Sequence, residues 1–297
     1  MVNMTKGSNG LPMLGLLIGC VLFGLGSLIV AHVHSVGAYA MAFWRLLISS
    51  LVFVLLAWGF RQRYPIGRAA WVFASLSGVA LGLDLALWHE SIYAVGPGIS
   101  TLLNSLQIFF LAFIGFVFFK ERQSPIQMVS LLLAIVGVGL IASPEFAHNT
   151  SATWGFVSGI LSGACLAVSM TFIRQTHKHE SVAILPLMAI VGVAGAVSLL
   201  PLMLVFNRGQ MLPTTLGEIG WIVVYGAVMQ CVAWGLIAFS IPRLSLALTG
   251  LLLLSEPVAA LVIDFFVLHK AINGVQWTGA FLTMFAIYLG SFKSGGH

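Results

Sequence analysis

The chain has 297 residues, of which 60% are hydrophobic and only 7% are charged. Soluble domains carry about 25% charged residues, so this sequence lacks the polar residues that would cover a water-facing surface. The formal net charge of +5 comes from basic residues that occur singly or in short groups beside apolar stretches, which argues against nucleic-acid binding. Composition therefore predicts a membrane protein with no nucleic-acid partner.

Apolar stretches long enough to cross a bilayer, which takes roughly 20 residues, fill almost the whole chain. We predict an all-α integral membrane protein with ten transmembrane helices, which we call spans 1 to 10. Their approximate ranges in chain order are 11–30, 37–59, 69–92, 98–119, 126–143, 153–173, 182–206, 218–240, 246–268 and 274–292. None of the connections is long enough to hold a separate globular domain.

The basic residues predict the orientation of these spans. If the spans alternate in direction, ten of the thirteen Lys and Arg residues fall on one side, two fall on the other, and Arg45 lies inside span 2. Basic loops stay on the cytoplasmic side, so both termini are predicted to be cytoplasmic. Span 1 has no clear cleavage site and is predicted to be a retained helix rather than a signal peptide.

The chain divides into two halves of five spans. Shifting the sequence by 149 residues superposes spans 3 to 5 on spans 8 to 10 without a gap, and glycines spaced for close helix packing open spans 1 and 6. We predict one five-helix repeat at residues 1–148 and a second at residues 149–297. Because five is odd, the second repeat would be inverted, as in many secondary transporters that hold substrate near the bilayer midplane.

Two polar positions coincide in this superposition at the depth of the bilayer centre. Asn104 and Gln107 lie on one face of span 4, and Gln107 superposes on Glu256 of span 9. A carboxylate at that depth costs at least about 2.5 kcal/mol on insertion scales, so we expect Glu256 to face a wet cavity or a partner. The alternative is a structural Glu in a helix kinked by Pro257, which removes an amide donor and frees the carbonyl of Leu253.

A second polar layer is predicted nearer the outer face. Arg45 and Asp84 both lie roughly 12 Å deep and could form an ion pair, either as a structural latch or as a substrate clamp. His89 could exchange a proton near neutral pH, although a histidine near a helix end is more often structural. One stripe of span 3 consists of Ser77, Asp84, Trp88 and Ser91.

Three motifs carry a resemblance to a known family. They are Arg45 within AFWRLLISS, Lys120–Glu121 followed by Pro125 and Gln127, and Glu256–Pro257 within LLLLSEPVAALVIDFF. With these motifs the chain resembles EamA-type members of the drug/metabolite transporter superfamily over essentially its whole length. The segment LDLALWHESI is similar to a version of the third helix that part of that family carries.

The resemblance implies a ten-helix inverted repeat around a central cavity that exports small metabolites, often amino acids, across bacterial inner membranes. The chain departs from the family pattern in three places. Leu25 stands where the first helix usually carries Trp, Ile108 stands where the fourth usually carries Pro, and His269–Lys270 replaces a Gly-Glu pair. The first two changes lie near the expected cavity, so the identity of the substrate does not follow from the resemblance.

We therefore predict a secondary or facilitative transporter, multi-pass in a bacterial inner membrane, that exports amino acids or related metabolites by alternating access. The residues predicted to line its cavity are Gln107, Glu256, Asn104, Arg45, Asp84 and Trp88. Proton coupling is hypothesised for Glu256, with Asp84 and His89 as further candidates.

The predicted partners are a small-molecule substrate and the lipid bilayer, and the sequence leaves a homodimer open. Cys20, Cys165 and Cys231 lie within spans without CxxC spacing, so no metal site or disulfide framework is predicted, and no cofactor is expected. The sequence has no P-loop and no recognisable catalytic motif, which argues against an ATPase or another enzyme. The alternatives are a channel and a non-transporting structural membrane partner.

Overall fold

The computed structural model describes residues 10–24, 26, 29, 33, 35–121, 124–146, 153–266 and 272–292. Within these ranges the chain is helical and contains no β-strand. Five helices are long and apolar enough to cross a membrane, and five shorter apolar helices lie in the other five predicted spans. The chain is thus a multi-pass, all-α membrane protein, as its composition predicts.

The first half begins with α1 and α2 and continues through a bent helix, α3. Ser100 Oγ donates to the Trp88 carbonyl at 3.2 Å, and Asn104 Nδ2 lies 3.0 Å from Asp84 Oδ1. A straight helix would hold these pairs about 18 and 30 Å apart, so α3 reverses between Trp88 and Ser100 and forms two arms. The helices are α1 (Gly10–Gly24), α2 (Ala38–Gly59), α3 (Arg68–Ser105), α4 (Gln107–Phe119) and α5 (Pro125–Phe146).

The second half contains more breaks than the first. Span 8 consists of α8, a π-helical segment at Tyr225–Ala233, α9 and a closing 3₁₀ turn at Ile241–Arg243. A capping box between Thr215 and Glu218 starts α8. The helices are α6 (Thr153–His179), α7 (Ile184–Phe206), α8 (Leu216–Val224), α9 (Trp234–Ser240), α10 (Leu246–Leu253), α11 (Ser255–Phe266) and α12 (Gly274–Phe292).

Spans 4 and 9 are both interrupted beside their predicted polar positions. Leu106 separates α3 from α4 immediately before Gln107, and Leu254 separates α10 from α11 two residues before Glu256. Each break is a tight turn in which the backbone amide bonds to the carbonyl three residues back at 3.2 Å. Interrupted helices of this kind form the substrate sites of many secondary transporters.

The predicted stripe of span 3 packs against α6. Three hydrogen bonds at matching seven-residue intervals join Ser77 to Ser169 (3.0 Å), Asp84 to Ser162 (2.7 Å) and Ser91 to the Gly155 carbonyl (2.8 Å). As the residue number rises on α3 it falls on α6, so the two helices are antiparallel. Their seven-residue repeat is the packing period of a left-handed helix pair.

Glycines allow close approach of helices in both halves, as their spacing predicts. A Cβ at Gly159 would lie 2.7 Å from Leu103 Cβ, and a Cβ at Gly19 would lie 2.8 Å from the Ala233 carbonyl. Span 6 therefore packs closely on span 4, and span 1 on span 8. These contacts are compatible with two related halves, whereas the repeat boundaries at 1–148 and 149–297 and the inversion remain predictions.

Candidate functional site

A buried cavity is lined by residues from both halves of the chain. Its volume is about 40 Å³, which is room for about three waters. The six residues predicted from the sequence all lie in its wall, namely Arg45, Asp84, Trp88, Asn104, Gln107 and Glu256. The structure therefore brings the two predicted polar layers into one space, while a contact between any of these residues and a substrate remains a prediction.

Asp84 lies on one side of the cavity and is held by neutral donors. Its Oδ1 accepts from Asn104 Nδ2 at 3.0 Å and from Ser162 Oγ at 2.7 Å, and its side chain is almost fully buried. These residues come from spans 3, 4 and 6, which the bend in α3 and the packing of α6 bring together. We call Asp84, Asn104 and Ser162 the acidic cluster.

Arg45 lies on the other side of the cavity and is fully buried. Its Nε donates to Gln230 Oε1 at 2.6 Å and its Nη1 donates to the Tyr225 hydroxyl at 2.7 Å. The guanidinium carbon lies 4.3 Å from the centre of the Tyr225 ring and 4.8 Å from that of Phe23, a cation–π arrangement. We call Arg45, Tyr225 and Gln230 the basic cluster; its members come from spans 2 and 8.

The π-helical segment of span 8 is what lets Tyr225 and Gln230 reach the same guanidinium. The two residues are five positions apart, and in an α-helix that interval is about 1.4 turns, which points them in different directions. A π-helix bonds residue i to residue i+5 and so brings these positions into line. The segment thus places two hydrogen-bond acceptors on one face towards α2.

The ion pair that equal depth allowed between Arg45 and Asp84 is not formed in the described structure. Each side chain is instead hydrogen-bonded by neutral groups of its own cluster, so the structure has no direct contact between the two charges. The described residues contain one ion pair, between Arg174 and Glu121, away from the cavity. The charges of Arg45 and Asp84 therefore remain available across the cavity.

Gln107 and Glu256 lie at the two helix breaks and both contribute to the cavity wall. Gln107 is 4% exposed, and its Oε1 has no hydrogen-bond partner within the described part of the chain. Glu256 forms no ion pair with any described residue. Ile108 stands where the family usually carries Pro, and it is buried. Span 4 is nevertheless interrupted two residues earlier, at Leu106, without a proline.

His89 is fully buried but does not lie in the cavity wall. Its Nε2 lies 3.3 Å from the Tyr225 hydroxyl, so it connects span 3 to the basic cluster. Of the three departures from the family pattern, Leu25 and the His269–Lys270 pair lie outside the described residues.

Sequence reasoning missed four polar residues of the site, namely Ser162, which donates to Asp84, and Tyr225, Gln230 and Trp234. Gln230 and Trp234 line the cavity, and Tyr225 binds Arg45. The depth of Gln230 within span 8 was a usable signal, because polar side chains inside a span are rare. Tyr225 and Trp234 gave no such signal, since aromatic residues are common in membrane helices.

The site has the composition of a binding cavity. It offers one cation, two carboxylates, three carboxamides and aromatic rings around a small space. Small-molecule sites are typically apolar clefts with a few placed polar groups of this kind. Among the described residues there is no group of three or more His, Cys, Asp or Glu side chains that could hold a metal ion.

Comparisons with known proteins give a consistent result. A sequence profile of the EamA-like transporter family matches residues 10–143 and 153–292. The chain is 24% identical over 276 residues to a chloroplastic WAT1-related protein of Arabidopsis thaliana, and the alignment covers 87% of this chain but only 64% of the plant protein. A solved crystal structure superposes with a TM-score of 0.79 at 15% identity, covering 97% of this chain and 99% of that one; this likeness shows the fold alone.

Proposed function

This chain belongs to the EamA-like transporter family, and we propose that it exports amino acids or related small metabolites across the membrane by alternating access around the central cavity. The observation that carries the proposal is the separation of charge within that cavity. Arg45 is held by spans 2 and 8, whereas Asp84 is held by spans 3, 4 and 6. A ligand that pairs with both charges would therefore contact both groups of helices.

A zwitterion suits this arrangement better than a singly charged solute. Buried charges are costly when they have no ionic partner, and here the cation and the carboxylates lie around one cavity without pairing with each other. An amino acid offers a carboxylate to Arg45 and an ammonium group to Asp84 or Glu256. The charge pattern supports amino acids as the substrate class and does not select among them.

Alternating access supplies the mechanism that we propose. A ligand shifts a conformational equilibrium only if it binds one state better than the other, and a ligand that bridges the two clusters favours the state in which they are close. The cavity of about 40 Å³ holds only about three waters, so binding of an amino acid with a large side chain requires the clusters to move apart. The helix breaks beside Gln107 and Glu256 are positions where spans 4 and 9 can change direction.

We further propose that the protein lies in a bacterial inner membrane with both termini in the cytoplasm. The excess of basic residues on one side of the predicted topology supports this orientation, and the EamA resemblance supports the location. A homodimer and proton coupling through Glu256 also remain proposals. Coupling is supported by the position of Glu256 in the cavity wall at a helix break.

Counterflow in proteoliposomes tests this function. Radiolabelled amino acids, purines and sugars are supplied to vesicles loaded with the same unlabelled solute, and the native chain is compared with Glu256→Ala and Gln107→Ala. Gln175→Ala is the matched control, because Gln175 lies near the end of α6 and outside the cavity.

Accelerated exchange of amino acids that both cavity variants slow would support a carrier with its site at the helix breaks. Fast flux without counterflow would indicate a channel. If the folded protein exchanged none of the solutes, a structural role would be favoured.

A further inference from the structure

Three residues of the cavity wall each carry one buried polar atom that has no hydrogen-bond partner within the described part of the chain. These atoms are Arg45 Nη2, Trp234 Nε1 and Gln107 Oε1. The exposed fractions of the three side chains are 0%, 3% and 4%. Buried polar atoms are nearly always paired, so these three unpaired atoms are the groups to which an occupant of the cavity would bond.

The two unpaired donors lie on the same side of the cavity. Trp234 follows Gln230 by one helical turn, and Gln230 is bonded to Arg45. The Phe23 ring touches both residues, since its centre lies 4.8 Å from the Arg45 guanidinium carbon and 6.2 Å from the Trp234 ring. An anionic group at this end would meet a positive charge and two N–H donors.

The unpaired acceptor belongs to the other side. Gln107 follows the acidic-cluster residue Asn104 by three positions, across the break in span 4. Its Oε1 can only accept, and Gln107 and Glu256 both line the cavity. A cationic N–H group at this end would have a neutral acceptor and a negative charge beside it.

We propose, on the basis of the proposed transport function, that Arg45 Nη2 and Trp234 Nε1 bind the carboxylate of the substrate and that Gln107 Oε1 accepts from its ammonium group. The substrate is thereby oriented with its carboxylate towards spans 2 and 8 and its ammonium group towards spans 4 and 9. Trp234 acts as a specificity-determining residue, because its indole N–H can bond to an acceptor group of the substrate but not to a donor group.

The competing explanation is water. The cavity has room for about three waters, which could satisfy the three atoms without any selectivity. The two explanations differ in what they predict for the ends of the substrate. If the three atoms bind the substrate, the protein distinguishes ligands by the chemical group at each end of the ligand. If water satisfies the three atoms, it does not.

The test compares exchange of an amino acid with that of two analogues in proteoliposomes. The carboxamide analogue keeps the ammonium group and loses the carboxylate charge, and the 2-hydroxy acid keeps the carboxylate and loses the ammonium group. The variants are Trp234→Phe, which removes only the indole N–H and part of the ring, and Gln107→Leu, which removes the acceptor. Trp58→Phe is the control, because Trp58 is 80% exposed and far from the cavity wall.

We expect the native chain to prefer the amino acid to both analogues. Trp234→Phe lowers the preference over the carboxamide by about tenfold and leaves the preference over the 2-hydroxy acid unchanged. Gln107→Leu has the opposite pattern, and Trp58→Phe changes neither preference. Because each result is a ratio on one preparation, a lower yield of folded protein does not affect it.

The outcomes separate the two proposals. Native exchange that does not distinguish the amino acid from its carboxamide would overturn the carboxylate subsite and leave the transport function standing, even if both variants failed to fold. If Trp234→Phe lowered the exchange of all three ligands equally, the carboxylate subsite would also be overturned, since that pattern indicates that Trp234 only packs against its neighbours. Absence of exchange with every solute by the native chain would overturn the transport function and the subsites together.

Discussion

Arg45 and Asp84 line the same cavity but bind different sets of helices. Arg45 donates to Gln230 and Tyr225, whereas Asp84 accepts from Asn104 and Ser162. A direct ion pair would neutralise both charges and leave little for a ligand to gain. Their separation keeps one charge on each side, which is the arrangement that a bridging zwitterion would stabilise.

Substitution of Ser162 tests the acidic cluster. Ser162→Ala removes one of the two donors to the Asp84 carboxylate, and hydrogen bonds to charged groups contribute about 1.5–3 kcal/mol. We expect the free energy of unfolding to fall by about 2 kcal/mol, measured as thermal unfolding of detergent-solubilised protein. The control is Ser158→Ala, because within the described residues that hydroxyl bonds to the Gly155 carbonyl of its own helix. Equal effects of the two substitutions would show that the cluster contributes no stability of its own.

Substitution of Gly137 tests the contact between α5 and α12. A Cβ at Gly137 would lie 2.3 Å from Thr283 Oγ1 and 2.7 Å from the Gly279 carbonyl, so the helices must separate. Forced separation of packed groups costs about 1–3 kcal/mol, and we expect Gly137→Ala to lower the melting temperature accordingly. Gly139→Ala is the matched control two residues along the same helix, since a Cβ there meets nothing within 4 Å. Unchanged melting of both variants would contradict the close contact.

Substitution of Glu256 tests proton coupling. Glu256→Gln keeps the size of the side chain and, like a protonated Glu, offers both a donor and an acceptor, but it cannot release a proton. If Glu256 carries the coupled proton, the variant should still exchange solute in counterflow yet lose the acceleration that an imposed proton gradient gives the native chain. Uptake would be measured with and without the gradient at several pH values. A variant that keeps the native dependence on pH and gradient would remove Glu256 from the coupling mechanism.

Two arginines test the predicted orientation. Arg63 follows α2 and Arg208 follows α7, and the alternating topology places them on opposite faces of the membrane. We expect Arg63→Cys to react with a membrane-impermeant thiol reagent only after the cytoplasmic face is opened, and Arg208→Cys to react in intact cells. Cys20 and Cys231 are buried and Cys165 is partly buried, so labelling of the native chain is measured alongside as the background signal. Labelling of both positions from the same side would overturn the alternating arrangement.

The sequence predicted the parts of the site that depend on helical periodicity and depth. Ser77, Asp84 and Ser91 share a stripe because they are spaced by seven residues, and that stripe meets α6 at the same spacing. Gln107 and Glu256 were selected for their depth, since polar groups at mid-bilayer are costly. Both residues lie in the cavity wall.

The remaining parts depend on local departures from the α-helix and on partner choice, which periodicity does not predict. The π-helical segment aligns Tyr225 with Gln230, whereas α-helical periodicity separates them. The ion pair between Arg45 and Asp84 was inferred from equal depth alone, and depth does not specify which neutral groups compete for each charge. Tryptophan is common in membrane helices, so Trp234 could not be identified as a site residue before its contacts were known.

Cys20 gives the protein a native spectroscopic reporter of the break in span 9. Its thiol lies 3.8 and 3.9 Å from the carbonyl oxygens of Leu252 and Leu253, and the second of these carbonyls has lost its amide partner to Pro257. The stretching vibration of an S–H group absorbs in a region of the infrared spectrum where proteins and water are nearly transparent, and its frequency changes with hydrogen bonding. A movement of α1 relative to the break would therefore shift the Cys20 band, which is identified as the one that Cys20→Ser removes, without any attached label.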